Sequence, residues 1–305
     1  MIPAEFEYEA PKTLEEALRL LSRHGDEAKI LAGGHSLLPL MKLRLAAPRY
    51  LVDIGRVRGL DYIREEGGKT AIGALVTHAQ IAASDLLRNK CPLLPETAAV
   101  IGDMQVRNRG TLGGSLAHAD PAADYPAAIL ALDAEMIVQS SAGKRTIPAE
   151  KFFVDLLATE IRPGEILTEV RVPVKRGGEG TAYKKFHQPA SRFAIVGAAA
   201  RLLLGKGGKI EDIALGMTGV ASKAYRASAA EKALRGKIAT ENLLAEACAK
   251  AAQGVEPLSD IFASAEYRRE MASVFARRAI ASAIERAMSG KPAASAGAAP
   301  KGKRK

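Results

Sequence analysis

The apolar positions of this chain change period several times, and each change marks an element. Leu14, Ala17, Leu18 and Leu21 recur at i, i+3, i+4 and i+7 behind Thr13, with Glu16 three residues after the threonine. That spacing predicts an amphipathic helix opened by a capping box and closed at Gly25. The short apolar runs "AKILAGG" (28–34) and "RYLVDIG" (49–55) read as buried strands. From residue 60 the pattern turns to strands, "YIREEGGKTAIGALVT", and then to a helix in which Thr77 and Gln80 form a second capping box. "CPLLPETAAVIGDMQVRNRG" (91–110) predicts one further short helix running into a loop. "AEMIVQSSAGKRTIPAEKFF" and "EILTEVRVP" follow as strands joined by glycine-containing turns.

The polar, glycine-rich "PVKRGGEG" (173–180) interrupts this order and marks a domain boundary. Beyond it "TAYKKFH", "FAIVGAAARLLL" and "GKIEDIALGMTGV" predict three strands, the last two joined by the hairpin signal "GKGG". Helical stretches follow at 224–236, 240–255 and 264–288. The expected fold is α+β, in three folded segments and a tail: an α/β unit over 1–57, a second α+β unit over 58–176, and a C-terminal unit over 177–288 whose three-stranded antiparallel sheet is backed by helices. Residues 289–305, small, basic and containing Pro and Gly, are expected to form a disordered tail.

Composition narrows the function. With 305 residues and 48% apolar content the chain can bury several cores. Its longest apolar stretch, Ala194–Leu204, is interrupted by Arg201 and falls short of the roughly 20 residues that span a bilayer. The acidic N-terminal stretch lacks the pattern of a secretory signal, so a cytoplasmic protein is expected. Cys91 and Cys248 are too few and too far apart to hold an iron–sulfur cluster or a structural zinc, so any such centre belongs to another chain. The net charge of +10 includes five uncompensated charges in the tail. No basic run interleaved with aromatics occurs in the body, which argues against nucleic-acid binding.

Two glycine loops carry the chemistry. "LAGGHS" puts Gly33 and Gly34 beside Ser36, and "RNRGTLGGSLAHADPAADYP" (107–126) puts Gly113 and Gly114 between Thr111 and Ser115. Paired glycines let backbone N–H groups converge on phosphate oxygens without Cβ obstruction, and the hydroxyls add further donors. A Gly-Gly pair alone is more often a tight turn; two similar loops together favour a grip on one diphosphate. Neither loop ends in the GK[ST] of a nucleotide-hydrolysing P-loop or matches the GxGxxG of a Rossmann unit.

The stretches "LAGGHSLLPLMKLRLAAPRYLVDI" and "IGDMQVRNRGTLGGSLAHADPAADYPAA" resemble the two FAD-binding signatures of the flavin-carrying medium subunit of molybdenum hydroxylases, the carbon monoxide dehydrogenase and xanthine dehydrogenase type. "SDIFASAEYRREMASVFARRAI" resembles that family's last domain. The resemblance spans residues 2–286. It implies a two-subdomain, PCMH-type FAD-binding region followed by the C-terminal domain. It also implies a cytoplasmic complex, on the inner membrane face in one version, in which an iron–sulfur small subunit and a molybdopterin large subunit join this chain as a dimer of heterotrimers. Electrons would pass from [2Fe-2S] clusters through FAD to an external acceptor, with quinone, NAD and oxygen all open. Carried over by position, Ala32, Gly33, Gly34, His35 and Ser36 bind the diphosphate from one side, and Thr111, Leu112, Gly113, Gly114 and Ser115 from the other. Asp124 bonds to the flavin–ribityl portion, Ile101 packs on the cofactor, Leu167 touches it through its backbone, and Lys184 reaches it from the last domain. The family's acidic residue before an aromatic is replaced here by Arg192 before Phe193. Phe193 has two readings, over the flavin ring or in the core, and its place on an apolar strand favours the core.

The remaining candidates are weaker. His118, Asp120 and Asp124 could form a metal site, but they follow directly on a glycine loop and Asp124 already has a use. His35 is read as a loop residue that binds through its backbone rather than as a general acid. His24, His78 and His187 are expected at the surface, Arg107 and Arg109 to pair with nearby carboxylates, and Cys91 to be a buried thiol. No Ser-His-Asp or Cys-His arrangement supplies a catalytic residue. A stand-alone flavin oxidase is the competing reading, and it needs an acid or base for its substrate that the sequence does not offer.

Overall fold

The structure is a computed structural model that describes residues 2–289. The expected tail, from residue 290 on, lies outside the described residues.

The N-terminal part orders β1 (Glu7–Glu9), α1 (Leu14–His24), β2 (Ala28–Leu31), α2 (Leu37–Lys42) and β3 (Tyr50–Asp53), with the strands in a parallel sheet β1-β3-β2. The Thr13 hydroxyl caps α1 by accepting from the Glu16 amide, while the Glu16 carboxylate reaches past the threonine to the Lys12 amide. Ala17, Leu18 and Leu21 bury the apolar face of α1 against Val52 and Ile54. Helix α2 was not expected; it grows directly out of the first glycine loop, with Met41 turned inward.

The second part begins with β4 (Ile63–Glu66) and β5 (Lys69–Gly73). A run of short helices follows: α3 (His78–Ala83), α4 (Asp85–Lys90), α5 (Leu93–Ala99), α6 (Met104–Arg109), α7 (Leu112–His118) and α8 (Tyr125–Ala131). Next come β6 (Glu135–Ser140), β7 (Gly143–Pro148), α9 (Ala149–Phe152), β8 (Phe153–Asp155), β9 (Ala158–Thr159) and β10 (Ile166–Pro173). Strands β4-β5-β10-β6-β7 form an antiparallel sheet. The capping box of Thr77 and Gln80 is complete at the start of α3.

Two expectations here need correction. The single helix expected over 91–110 is two, α5 and α6, parted at Gly102, which adopts φ +45°. The second glycine loop is mostly helix: Thr111 accepts from the Gly114 amide as the cap of α7, and Leu112 and Leu116, one turn apart, are both fully buried. Burial of that i, i+4 pair outweighs the low helix propensity of two glycines.

The C-terminal part holds β11 (Glu179–His187), β12 (Ala194–Leu204), β13 (Ile210–Thr218) and β14 (Tyr225–Arg226) in an antiparallel sheet, then α10 (Ser228–Leu234), α11 (Glu241–Cys248) and α12 (Ala265–Ser289). The expected three strands are present, and the two-residue β14 is added at the edge. Helix α12 covers one face of this sheet and α8, from the preceding part, covers the other. A Cβ at Gly180 would lie 1.9 Å from the Ala283 carbonyl oxygen, and one at Gly216 would lie 2.0 Å from that of Ala127. Both helices therefore sit directly on sheet backbone. Burial on two faces explains why "AIVGAAARLLL" shows no alternation of apolar and polar residues. Among the described residues no helix is long and apolar enough to cross a membrane.

Candidate functional site

A cleft of about 480 Å³ runs between the N-terminal sheet, helices α6 and α7 and the loop before β12. Strand β2 delivers the chain into Ala32–Ser36 along one wall. Gly34 there takes φ +78°, a backbone conformation that disfavours any side chain. Gly33 has a different reason to be glycine: a Cβ on it would lie 2.2 Å from the Arg109 carbonyl oxygen and 2.8 Å from Gly110 Cα. The two glycine loops thus pack against each other. The pair of glycines in the first loop serves this contact as well as any ligand.

The loops differ in what their backbones can still offer. In the second, the amides of Leu112 and Gly113 donate to the carbonyls of Val76 and Ala74, both at 2.9 Å. Those of Gly114 and Ser115 donate to the Thr111 hydroxyl and carbonyl at 3.1 and 3.0 Å. In the first, the amides of Gly33, Gly34, His35 and Ser36 donate to nothing within the described chain, and the hydroxyls of Ser36 and Ser115 are also without partners. Four of the five second-loop amides expected to bind, those of Leu112 to Ser115, are thus engaged, and the Thr111 amide has no acceptor within the described chain. The loop donors left for a ligand therefore include the first-loop amides, the Thr111 amide and two serine hydroxyls.

Of the fourteen residues expected to bind the cofactor, twelve line this cleft, and Leu112 and Lys184 do not. Leu112 is fully buried in the core of the second part. Lys184 pairs with Ala198, on the face of the sheet turned to α12, along with Ala182 and Phe186. The opposite face carries Tyr183 and Lys185. Asp124, 5% exposed, accepts from the Tyr183 hydroxyl at 2.5 Å and from Lys185 Nζ at 2.9 Å. Burial raises the Asp124 pKa, opposed by the Lys185 charge and the Tyr183 hydrogen bond, and burial pushes the Tyr183 phenol well above its ordinary value. Lys185 also donates to the carbonyls of Val100 and Arg192 at 2.8 Å each. The period of two along β11 puts Tyr183 and Lys185 on one face, but that this face meets Asp124 is decided by a contact far away in sequence.

Several other expectations change. Phe193 is not core: it is 43% exposed and lines the cleft with Ser191 and Arg192, the latter at φ +61°. Arg107 donates to the carbonyls of Ile101 and Gly102 instead of pairing with a carboxylate. His187 is exposed, as expected, but His24 is half-buried between Glu9 and a stacked Tyr50 ring. His78 is buried and lines the cleft. Leu157, half exposed at φ +53°, lines it too and was not singled out. Apart from alternation in β11, only a strand-to-loop break near "PASRF" signals these residues in the sequence.

Similarity to known proteins covers most of the chain. Residues 4–175 match the family described as FAD binding domain in molybdopterin dehydrogenase, and residues 181–283 match the CO dehydrogenase flavoprotein C-terminal domain. The carbon monoxide dehydrogenase medium chain of Hydrogenophaga pseudoflava is 40% identical over 286 residues, 94% of this chain and 99% of that one. The 6-hydroxypseudooxynicotine dehydrogenase complex subunit alpha of Paenarthrobacter nicotinovorans is 42% identical over 287 residues, 94% and 97% of the two chains. A solved structure of carbon monoxide dehydrogenase from Hydrogenophaga pseudoflava, lacking the Mo-pyranopterin moiety of its cofactor, superposes with a TM-score of 0.91 at 42% identity, covering 94% of this chain and 99% of that one.

Proposed function

The chain belongs to the FAD-binding medium subunits of the molybdenum hydroxylases, oxidoreductases whose medium subunit carries FAD, and on that premise we propose that it holds FAD along this cleft with the diphosphate on the first glycine loop. The single observation that carries the assignment of residues is the set of unpartnered amides at Gly33–Ser36 in a chain whose second loop engages its amides from Leu112 to Ser115. Four N–H groups and the hydroxyls of Ser36 and Ser115, with no protein acceptor competing for them, suit an anionic diphosphate. Ile101, Leu167 and Phe193 add apolar surface to the cleft lining for an aromatic ring. The residues present therefore fit the cofactor.

When bound, FAD supplies the conversion between single-electron transfer from a partner's [2Fe-2S] cluster and delivery of an electron pair to an external acceptor. This chain's part is to bind and orient it. Lys185 ties the Val100–Ile101 segment, the Arg192–Phe193 segment and Asp124 to one ammonium group, which fixes both apolar edges of the cleft relative to each other. The iron–sulfur and molybdopterin centres belong, on this reading, to a small and a large subunit assembled with this chain as a dimer of heterotrimers in the cytoplasm. Both thiols here support that division of labour: Cys91 and Cys248 are buried, and burial pushes their pKa values up to about 12 and about 11. The two relatives named above act on different substrates at nearly equal identity, so the substrate is assigned to the large subunit.

The test is a flavin titration of the purified full chain together with its isolation from cells alongside its partners. Stoichiometric uptake of FAD, and co-purification with chains that carry iron, sulfide and molybdenum, are expected. A colourless chain that takes up no FAD, or one that oxidises small molecules alone as a monomer, would contradict the assignment.

A further inference from the structure

His78 is the first residue of α3, and its amide donates to the Gly110 carbonyl at 3.0 Å, so it is held against the second glycine loop. The ring is 5% exposed, meets Tyr125 edge-on at 5.3 Å, and lines the cleft. Nε2 abuts Gly110 so closely that a Cβ there would come within 2.4 Å of it, and Gly110 in turn faces Gly33 across the junction of the two loops. The opposite ring nitrogen, Nδ1, is enclosed and has no hydrogen-bond partner.

Burial, with the His35 and Arg107 charges nearby, lowers the His78 pKa to about 4, so the ring is neutral at physiological pH. A neutral imidazole has one N–H and one lone pair to place. An enclosed N–H without an acceptor forfeits a full hydrogen bond to water, while an enclosed lone pair costs less. The proton therefore belongs on Nε2. We propose that His78 presents its Nε2–H to the cleft as a neutral donor for an oxygen of the cofactor's diphosphate–ribityl portion, where the two glycine loops meet. This rests on the FAD reading above and adds to it a binding residue drawn from neither glycine loop.

The glutamine amide nitrogen is as many bonds from Cα as Nε2, whereas the asparagine nitrogen corresponds to Nδ1. Affinity of the full chain for FAD, followed by flavin fluorescence, is expected to stay within about three-fold of wild type in His78→Gln and to weaken roughly ten-fold in His78→Asn and His78→Phe. Long-range ¹H–¹⁵N spectra of the ring-labelled wild-type chain, which require no variant to fold, are expected to show a protonated Nε2 and a bare Nδ1. A phenylalanine variant with wild-type affinity, a glutamine variant as weak as phenylalanine, or a protonated Nδ1 overturns the proposal while the FAD reading stands. A wild-type chain with no affinity for FAD removes both.

Discussion

Lys185 Nζ lies 2.9 Å from Asp124 Oδ2, and both side chains are only 5% exposed. The pair joins the C-terminal sheet to the residue that precedes α8, across 61 residues of sequence. A buried ion pair is tolerated only when its other bonding capacity is met, and here the carbonyls of Val100 and Arg192 and the Tyr183 hydroxyl meet it.

Removal of this cation separates the two lysines of "YKKF". Lys185→Met strands a buried carboxylate and frees two carbonyls, and is expected to cost about 3–5 kcal/mol of stability in urea unfolding. Lys184→Met, on the other face of the strand, is expected to cost less than about 1 kcal/mol and to leave FAD affinity unchanged. Equal effects of the two substitutions would contradict the placement of Lys185.

The loop junction predicts an order among glycine substitutions. In Gly33→Ala the new methyl group meets backbone, the Arg109 carbonyl oxygen at 2.2 Å and Gly110 Cα at 2.8 Å, so the loops must part. A loss of about 1–3 kcal/mol is expected, with FAD affinity falling more than ten-fold. In Gly114→Ala the nearest atom is the Thr111 hydroxyl at 2.8 Å, which can rotate away at the cost of the α7 cap, about 1 kcal/mol. Calorimetry and a flavin titration rank the two; a Gly114 variant more damaging than the Gly33 one would overturn the order.

The free hydroxyls predict losses in binding without losses in fold. Ser36→Ala and Ser115→Ala each remove one unpartnered donor from the cleft wall. Each is expected to weaken FAD by roughly three- to ten-fold with the unfolding midpoint of the apo chain unchanged. Unaltered affinity in the double variant would place the diphosphate elsewhere.

Acid stability has an identifiable contributor at the cleft edge. Glu165 accepts from Arg145 Nε at 2.6 Å and from its terminal nitrogen at 2.7 Å, just before the cleft residues Ile166 and Leu167. The Arg145 hydrogen bonds hold the Glu165 carboxyl below its ordinary value of 4.5 in the folded state. The folded form therefore binds this proton more weakly than the unfolded form. The stabilisation is full above the unfolded pKa and is lost as pH falls through the lower folded value. The gap in melting temperature between wild type and Glu165→Gln is expected to be widest near neutral pH and to close in acid. A gap that stays constant down to about pH 3 would assign the acid sensitivity to other carboxylates.

By itself the sequence determined the features that are settled within a few residues. The threonine caps of α1 and α3, the turn at Gly25, the hairpins of β6–β7 and β12–β13 and the α+β order all follow from period and turn chemistry, which act over neighbouring positions. The glycine loops were legible as a candidate site for the same reason, since few other uses call for two such motifs with flanking hydroxyls. Only the tertiary structure decided which atoms of that site remain free. The second loop became helix because Leu112 and Leu116 found a core to enter, and its amides were then consumed by Val76, Ala74 and Thr111. Lys185 rather than Lys184 reaches the cleft residue Asp124 because Asp124 stands opposite that side of β11, and His78 is neutral because Gly110 and Tyr125 close over it. Burial and partnership are properties of contacts between distant segments, and local periodicity carries no record of them.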